Sequence, residues 1–285
     1  MKYFVKQYLG ALICVSLLTS FMACAQQKNE KHKDSHYQLS NPVVYTMPES
    51  LIEISGITIL PNMANNIYAV QDEEGKIYTI NLVADSTTAY HFSKVGDYED
   101  IGIFKGWLYV LKSNGSLFRV NKNIQHDTDH LESFEIKNKV PKGEYEGLYI
   151  NEVDSIIYLL CKQCNATEDK KKDRGLIYQL KISTDNEIEK LGAITYEINE
   201  NKDHNWQPSA IAQHPLSGYW YILSSVNNML SVYDKDWYWK STFHLPTSVF
   251  NQPEGLCFNA AGDMFICNEG SKTKKGNILF FKYER

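Results

Sequence analysis

The sequence has 285 residues, of which 43% are hydrophobic, and its formal net charge is −5. This hydrophobic content suits a packed globular core, and the mildly acidic balance argues against a nucleic-acid partner. Nineteen tyrosines favour β-strands, because aromatic side chains suit pleated, half-buried surfaces. No long segment has the pattern of an amphipathic helix, so an all-β fold is predicted.

The N-terminus resembles a bacterial export signal. Lys2 and Lys6 precede an apolar stretch, residues 9–22, that is too short for a usual membrane-spanning helix. Ala23 and Cys24 then resemble a lipobox, which predicts that residues 1–24 are a signal peptide and that Cys24 is lipidated. The alternative is soluble export with cleavage around Cys24. In either case the mature protein leaves the cytoplasm, and lipidation would anchor it in the bacterial cell envelope, at the periplasmic or surface face of the outer membrane.

Residues 25–36 are polar and charged, and they contain no aromatic side chain. Such a segment cannot bury enough apolar surface to offset the entropy lost on ordering. We therefore predict a flexible tether over residues 25–36 and a folded domain over residues 37–285.

Five similar units follow in this domain, each beginning with a polar residue, then a small or acidic residue, then an aliphatic one. They begin at Ser55, Glu99, Glu146, Ser209 and Glu254. Most of the intervals are about 45 residues, and a repeat of this length is typical of a propeller blade with four strands. The sequence therefore predicts a five-bladed β-propeller.

The second strands of the predicted blades are the most alike: IYAV, LYVL, IYLL, WYIL and MFIC. They place one aromatic residue per blade in a common column, which predicts packing between neighbouring blades. These residues are Tyr68, Tyr109, Tyr158, Tyr221 and Phe265. The first strands are predicted to begin at Gly56, Ile101, Gly147, Ala210 and Gly255.

The last unit shows only three strand patterns, whereas the segment before Ser55 looks like the end of a blade. Residues 45–56 (YTMPESLIEISG) parallel residues 243–255 (FHLPTSVFNQPEG). We therefore expect residues 41–47 to supply the fourth strand of the last blade and to close the ring.

The first strand of a propeller blade lies nearest the central channel, so the starting residues of the five units should meet at one mouth. This predicts a ring of Ser55, Glu99, Glu146, Ser209 and Glu254, with Asp100 beside it. Buried carboxylates are costly unless they are protonated, paired or metal-bound, and Ca²⁺ prefers oxygen ligands. One interpretation is therefore a calcium site; the other is that these side chains bond to backbone N–H groups of neighbouring blades.

Two further sets of residues leave alternatives open. Asp72-Glu73-Glu74 and Asn268-Glu269 follow second strands, where they either line a channel mouth or shape a hairpin turn. Cys161 and Cys164 fit a redox pair or a local disulfide that pins the long loop of blade three. Cys257 and Cys267 lie on adjacent strands, and free buried thiols are the remaining option for all four.

The segments ISGI, YEDIGIF, YEGLYI, QPSAIA and QPEGLCF, with the second strands, resemble the SdiA-regulated family of exported bacterial proteins. The resemblance extends from Val43 to Tyr283. It implies a five-bladed propeller, distantly similar to NHL-repeat proteins, with a calcium site. We carry that site onto Glu99, Glu146 and Glu254, whereas Ser55 and Ser209 depart from the acidic pattern.

These observations predict a calcium-binding, extracytoplasmic propeller lipoprotein that acts as a binding or protein-interaction module. Its ligand would be a protein or a small molecule. The alternative is a calcium-dependent hydrolase, similar to propeller lactonases or phytases, in which the channel metal polarises a carbonyl or phosphoryl oxygen.

Overall fold

Five four-stranded antiparallel sheets form the blades of a β-propeller in the computed structural model. The structure describes residues 36–60, 65–121, 130–164, 174–198 and 206–284. The predicted signal peptide, Cys24 and the predicted tether up to residue 35 lie outside them. Among the described residues there is no helix long and apolar enough to cross a membrane. The predicted all-β, five-bladed architecture is confirmed.

The first four blades each use four consecutive strands, which pair in chain order. Blade 1 contains β2 (Ile54–Ile59), β3 (Asn66–Gln71), β4 (Lys76–Asn81) and β5 (Ser86–His91). Blade 2 contains β6 (Tyr98–Phe104), β7 (Trp107–Lys112), β8 (Leu117–Asn121) and β9 (Ser133–Ile136). Blade 3 contains β10 (Gly143–Asn151), β11 (Ile156–Cys164), β12 (Arg174–Ile182) and β13 (Ile188–Glu197). Blade 4 contains β14 (Ala210–Gln213), β15 (Trp220–Ser224), β16 (Met229–Tyr233) and β17 (Trp239–His244).

The fifth blade closes the ring between the two ends of the domain. It contains β18 (Pro253–Phe258), β19 (Met264–Asn268), β20 (Asn277–Phe281) and the N-terminal strand β1 (Val43–Thr46). β1 pairs antiparallel with β20, so that Val43 faces Phe280 and Thr46 faces Asn277. A short 3₁₀ helix, Glu49–Leu51, then leads into blade 1. The predicted closure by the N-terminal strand is confirmed.

The hydrophobic core is divided among the contacts between neighbouring blades. The five aromatic residues of the second-strand column each pack in a different apolar cluster, as the repeat predicts. Tyr109, for example, is fully buried with Leu148 and Ile150 of the next blade. Phe265 of blade 5 packs with Ile57 and Ile59 of blade 1. Each blade is therefore stabilised mainly by its neighbours.

The first strands of four blades begin earlier than the sequence predicts because each contains a β-bulge. The register shifts between Ile54 and Gly56, and the same irregularity recurs in blades 2, 3 and 5. The unpaired residues are Ser55, Glu99, Glu146 and Glu254. A bulge breaks the alternation of side chains and re-aims the extra residue. In these four blades the predicted start of the unit is thus the bulged residue of the first strand, whereas Ser209 of blade 4 directly precedes β14.

We predict that closure by β1 makes a large contribution to the stability of the propeller. Met47 follows β1, is 4% exposed, and donates its backbone N–H to the carbonyl of Gly276 (2.9 Å). Met47→Ala should lower the free energy of unfolding by about 2–5 kcal/mol, the usual cost of emptying a buried methionine site. Val43→Ala, at a site that is 51% exposed, should change it by less than about 0.5 kcal/mol. Urea denaturation of both variants measures the difference, and equal effects would contradict this role.

Candidate functional site

One end of the central channel opens into an acidic cavity of about 160 Å³. The five unit-starting residues all line it, so the structure brings together the ring that the repeat predicts. Seven of the lining residues carry carboxylates, and Lys162 is the basic one among the described lining residues. The lining consists of Glu53, Ser55, Asp72, Asp97, Glu99, Glu146, Lys162, Gln207, Pro208, Ser209, Ser225, Val226, Glu254 and Glu269.

A second tier of the cavity comes from residues that share one position near the ends of the second strands. Asp72, Lys162, Ser225 and Glu269 occupy this position in blades 1, 3, 4 and 5. The sequence left two interpretations of Asp72 and Glu269 open, namely that they line a channel mouth or that they shape a hairpin turn. The structure places both residues in the same mouth. Lys162 was missed from the sequence, although the alignment of the second strands already puts Lys162 in the same column as Asp72 and Glu269.

Blade 3 places opposite charges together in the cavity. Lys162 Nζ lies 3.0 Å from Glu146 Oε1, and both side chains are mostly buried. The register explains the meeting, because the pairing of Tyr145 with Cys161 leaves Glu146 unpaired on β10 and Lys162 unpaired on β11. Burial lowers the pKa of Lys162, but the combined attraction of Glu146, Glu144 and Glu99 outweighs burial, so the net shift is upward and the ammonium stays charged.

The remaining carboxylates crowd one another in a poorly solvated space. Burial raises the pKa of Glu99 to about 10, and the negative charges of Glu146 and Asp97 add to the shift. Burial likewise raises the pKa of Glu254 and of Glu269 to about 7, with further contributions from Glu146 and Asp72 respectively. Such groups are costly to ionise together unless a positive charge is nearby.

Three of the predicted residues make bonds between blades instead of facing the cavity alone. Ser55 Oγ donates to the carbonyl of Tyr98 (2.7 Å), and Ser209 Oγ donates to the carbonyl of Pro253 (2.9 Å). Asp100 is 2% exposed and accepts the N–H groups of Ile101 (2.8 Å) and Leu148 (2.7 Å). Asp100 thus makes the bond to a backbone N–H group of a neighbouring blade that the alternative interpretation describes, and it is not part of the cavity lining. Ser55 and Ser209 also link neighbouring blades, but through backbone carbonyls.

The donor set of the cavity is chemically suited to a hard cation. Carboxylates and serine hydroxyls supply oxygen atoms, and one buried oxygen, Asp72 Oδ1, has no hydrogen-bond partner. In the described part of the chain, no group of three or more His, Cys, Asp or Glu side chains is already arranged to hold a metal ion. A ligand role for Glu99, Glu146 and Glu254 stays a prediction.

The cysteines differ in state between blades 3 and 5. A disulfide joins Cys161 and Cys164, whose Cα atoms are 6.1 Å apart. Cys257 and Cys267 are buried free thiols, and Cys257 faces Phe265 while Cys267 faces Gly255. In the register of blade 5 the two cysteines are therefore not cross-strand partners.

The other end of the channel has the opposite character. A cavity of about 400 Å³ lies where the first strands end, and most of its lining is apolar, including Ile59, Ile103 and Ile150. The charged chemistry of the channel is therefore concentrated where the first strands begin.

The fold is shared with several solved structures at low sequence identity. A luciferin-regenerating enzyme superposes with a TM-score of 0.54 at 9% identity, over 85% of this chain and 95% of the other. Regucalcin from Agrobacterium tumefaciens, described as a calcium-binding protein, gives 0.51 at 10% identity, over 88% and 95%. Neither the protein-family models nor the curated proteins give a sequence match. The likeness concerns the fold, and the resemblance to the SdiA-regulated family stays a prediction.

The raised pKa values predict a stability that falls as the pH rises. In the folded protein Glu254 keeps its proton up to a pKa of about 7, whereas the unfolded chain releases it near 4.5. The folded state therefore binds more protons over this interval, and the free energy of unfolding declines through it. In EDTA, urea denaturation from about pH 4.5 to 8 should show this decline.

Glu254→Gln should make the pH dependence shallower, because an amide does not titrate. Glu189→Gln, on the exposed side of β13, is the matched control and should leave the slope unchanged. If both variants keep the slope of the unmodified protein, ionisation of Glu254 does not destabilise the fold.

Proposed function

We propose that this protein is a calcium-binding propeller whose acidic mouth holds the ion, and that it serves as a binding module in the bacterial cell envelope. The observation that carries the proposal is the convergence of seven carboxylates on one cavity, where Lys162 supplies the single compensating charge among the described lining residues. A divalent cation would favour the ionised forms of side chains that burial otherwise protonates.

Glu99, Glu146 and Glu254 would hold the ion, since each is the bulged residue of its first strand and lines the same mouth. In the proposed calcium-bound state the three carboxylates turn toward a common point, and the ion pair between Glu146 and Lys162 is broken. Ser55 and Ser209 keep their bonds between blades and offer lone pairs at the rim. Bound Ca²⁺ would neutralise this mouth and tie blades 2, 3 and 5 together.

A binding role agrees with the placement of the cavity. It lies at a channel mouth, where all five blades contribute residues, and concave sites with convergent polar groups are typical ligand sites. The calcium-binding description of regucalcin, which has the same kind of fold, supports the choice of ion. The bound partner would be a protein or a small molecule that reaches this mouth.

Calcium should stabilise the domain, because an ion that binds only the folded state shifts the unfolding equilibrium. At about 100 times the dissociation constant the gain is about 2.7 kcal/mol, or roughly 5 °C or more in melting temperature for a domain of this size. The experiment compares melting in EDTA with melting in added Ca²⁺.

The gain should be lost in Glu254→Gln and Glu146→Gln, which lack a ligand carboxylate. The control Glu189→Gln removes an exposed carboxylate outside the cavity and should keep the full response. If the unmodified protein and the control do not respond to Ca²⁺, the calcium proposal is wrong.

The hydrolase alternative uses the same cavity. The pKa values of Glu254 and Glu269, both raised to about 7 by burial, suit general acid–base catalysis near neutral pH. Hydrolysis of lactones or phosphate esters that requires Ca²⁺ and disappears in Glu254→Gln would favour this alternative over a binding module.

For location, we propose export and lipid anchoring through Cys24. The support is the apolar stretch that ends at Ala23 and Cys24 in the sequence. In bacterial cells, the unmodified protein should incorporate labelled fatty acid and fractionate with membranes, because two or more acyl chains give firm anchoring. Cys24→Ser should lose both properties, whereas the buried-thiol control Cys257→Ser should keep them. Equal labelling of the two variants would contradict lipidation of Cys24.

A further inference from the structure

We propose that Lys162 is a built-in counter-ion of the acidic mouth, held there by the Cys161–Cys164 disulfide, and that opening this disulfide raises the affinity for a bound cation. The inference rests on the proposed function for its cation-binding part, and it names a regulatory element of that site. It depends on the geometry of β10 and β11 in blade 3.

The first two strands of blade 3, β10 and β11, each carry a bulge at adjoining positions of their ladder. Tyr145 pairs with Cys161, Gly147 pairs with Leu160, and Glu144 pairs with Gln163. Glu146 and Lys162 are thus the residues left out of the ladder, one on each strand. Since a bulged residue is aimed away from the regular alternation, both side chains reach the cavity and meet at 3.0 Å.

The disulfide encloses the bulge that carries Lys162. Cys161 and Cys164 lie on either side of Lys162 and Gln163, and their bond fixes the ends of this short segment. The backbone between them has few conformations while the bond is intact. The backbone that carries Lys162 is consequently ordered in advance, so that only side-chain entropy is lost when the ammonium pairs with Glu146.

Blade 3 differs from the other blades at this position. The residues equivalent to Lys162 are Asp72, Ser113, Ser225 and Glu269, which are acidic or neutral. Blade 3 is also the blade in which a disulfide closes the end of the second strand, as far as the described residues show. The positively charged Lys162 and the disulfide that positions it therefore occur in the same blade.

A cation that uses Glu146 as a ligand must compete with Lys162. The ammonium already occupies Glu146 Oε1, and an ion pair with charge-assisted bonding is stronger than a neutral hydrogen bond. Removing the ammonium or loosening its segment should therefore free Glu146 for the bound ion. Lys162 acts here through position and charge and takes part in no covalent step.

The disulfide is open to reduction from one side. Cys161 is buried, whereas Cys164 is partly exposed. A dithiol would attack Sγ of Cys164, break the Sγ–Sγ bond, and leave two cysteine thiols while it is oxidised to its own disulfide. The segment from Cys161 to Cys164 would then lose its covalent closure.

The first test measures Ca²⁺ affinity by isothermal titration calorimetry. Lys162→Met should bind Ca²⁺ about tenfold more tightly than the unmodified protein, because a charged hydrogen bond no longer competes. Lys76→Met is the matched control, since Lys76 pairs with Glu74 at 2.9 Å and is similarly exposed (23% against 27%) but lies outside the cavity. Unchanged affinity in Lys162→Met would overturn the counter-ion role.

The second test needs no calcium and follows the acylation of lysines by mass spectrometry, with and without dithiothreitol. Reduction should speed the labelling of Lys162 several-fold and leave the labelling of Lys76 unchanged. The double variant Cys161→Ser, Cys164→Ser should behave like the reduced protein. Equal labelling of Lys162 before and after reduction would overturn the positioning role of the disulfide.

The two tests separate this inference from the function on which it rests. If neither the unmodified protein nor Lys162→Met binds Ca²⁺, the calcium proposal is wrong and the competition between Lys162 and the ion falls with it. The labelling result still decides whether the disulfide holds Lys162 in the mouth.

Discussion

The close approach of the five first strands is the constraint on which the site depends. These strands contact one another around the channel, and some of the contacts leave no room for a side chain. A Cβ atom on Gly56 would come within 2.4 Å of Asp100 Cα, and one on Gly255 within 3.0 Å of the Ser55 carbonyl oxygen. The bulge before each of these glycines turns the preceding side chain into the channel, where backbone crowding does not exclude it.

The residues at the starts of the five units have two roles. Some of them link neighbouring blades, and others give the cavity its charge. Ser55 and Ser209 each bond to the first strand of the next blade, and Asp100 does the same through the N–H of Leu148. Glu99, Glu146 and Glu254 instead concentrate negative charge in one small space. The starts of the first strands therefore supply both the bonds between blades and the concentrated charge of the cavity.

The accumulated charge is costly to the isolated fold, and the structure offsets it in two ways. Lys162 pairs with Glu146, and burial favours the protonated forms of Glu99, Glu254 and Glu269. Folds retain such unfavourable groups mainly where they serve a function. The opposite mouth differs in character, because apolar side chains such as Ile59, Ile103 and Ile150 line most of its cavity.

The sequence by itself determined the repeat, the five blades, the aromatic column of the second strands and the closing N-terminal strand. These features depend on local strand patterns and on a period that survives along the chain. Only the tertiary structure decided the bulges, the second tier of Asp72 and Glu269, and the pairing of Lys162 with Glu146. These features depend on the register between strands and on the distances across the channel, which strand patterns along the sequence do not encode.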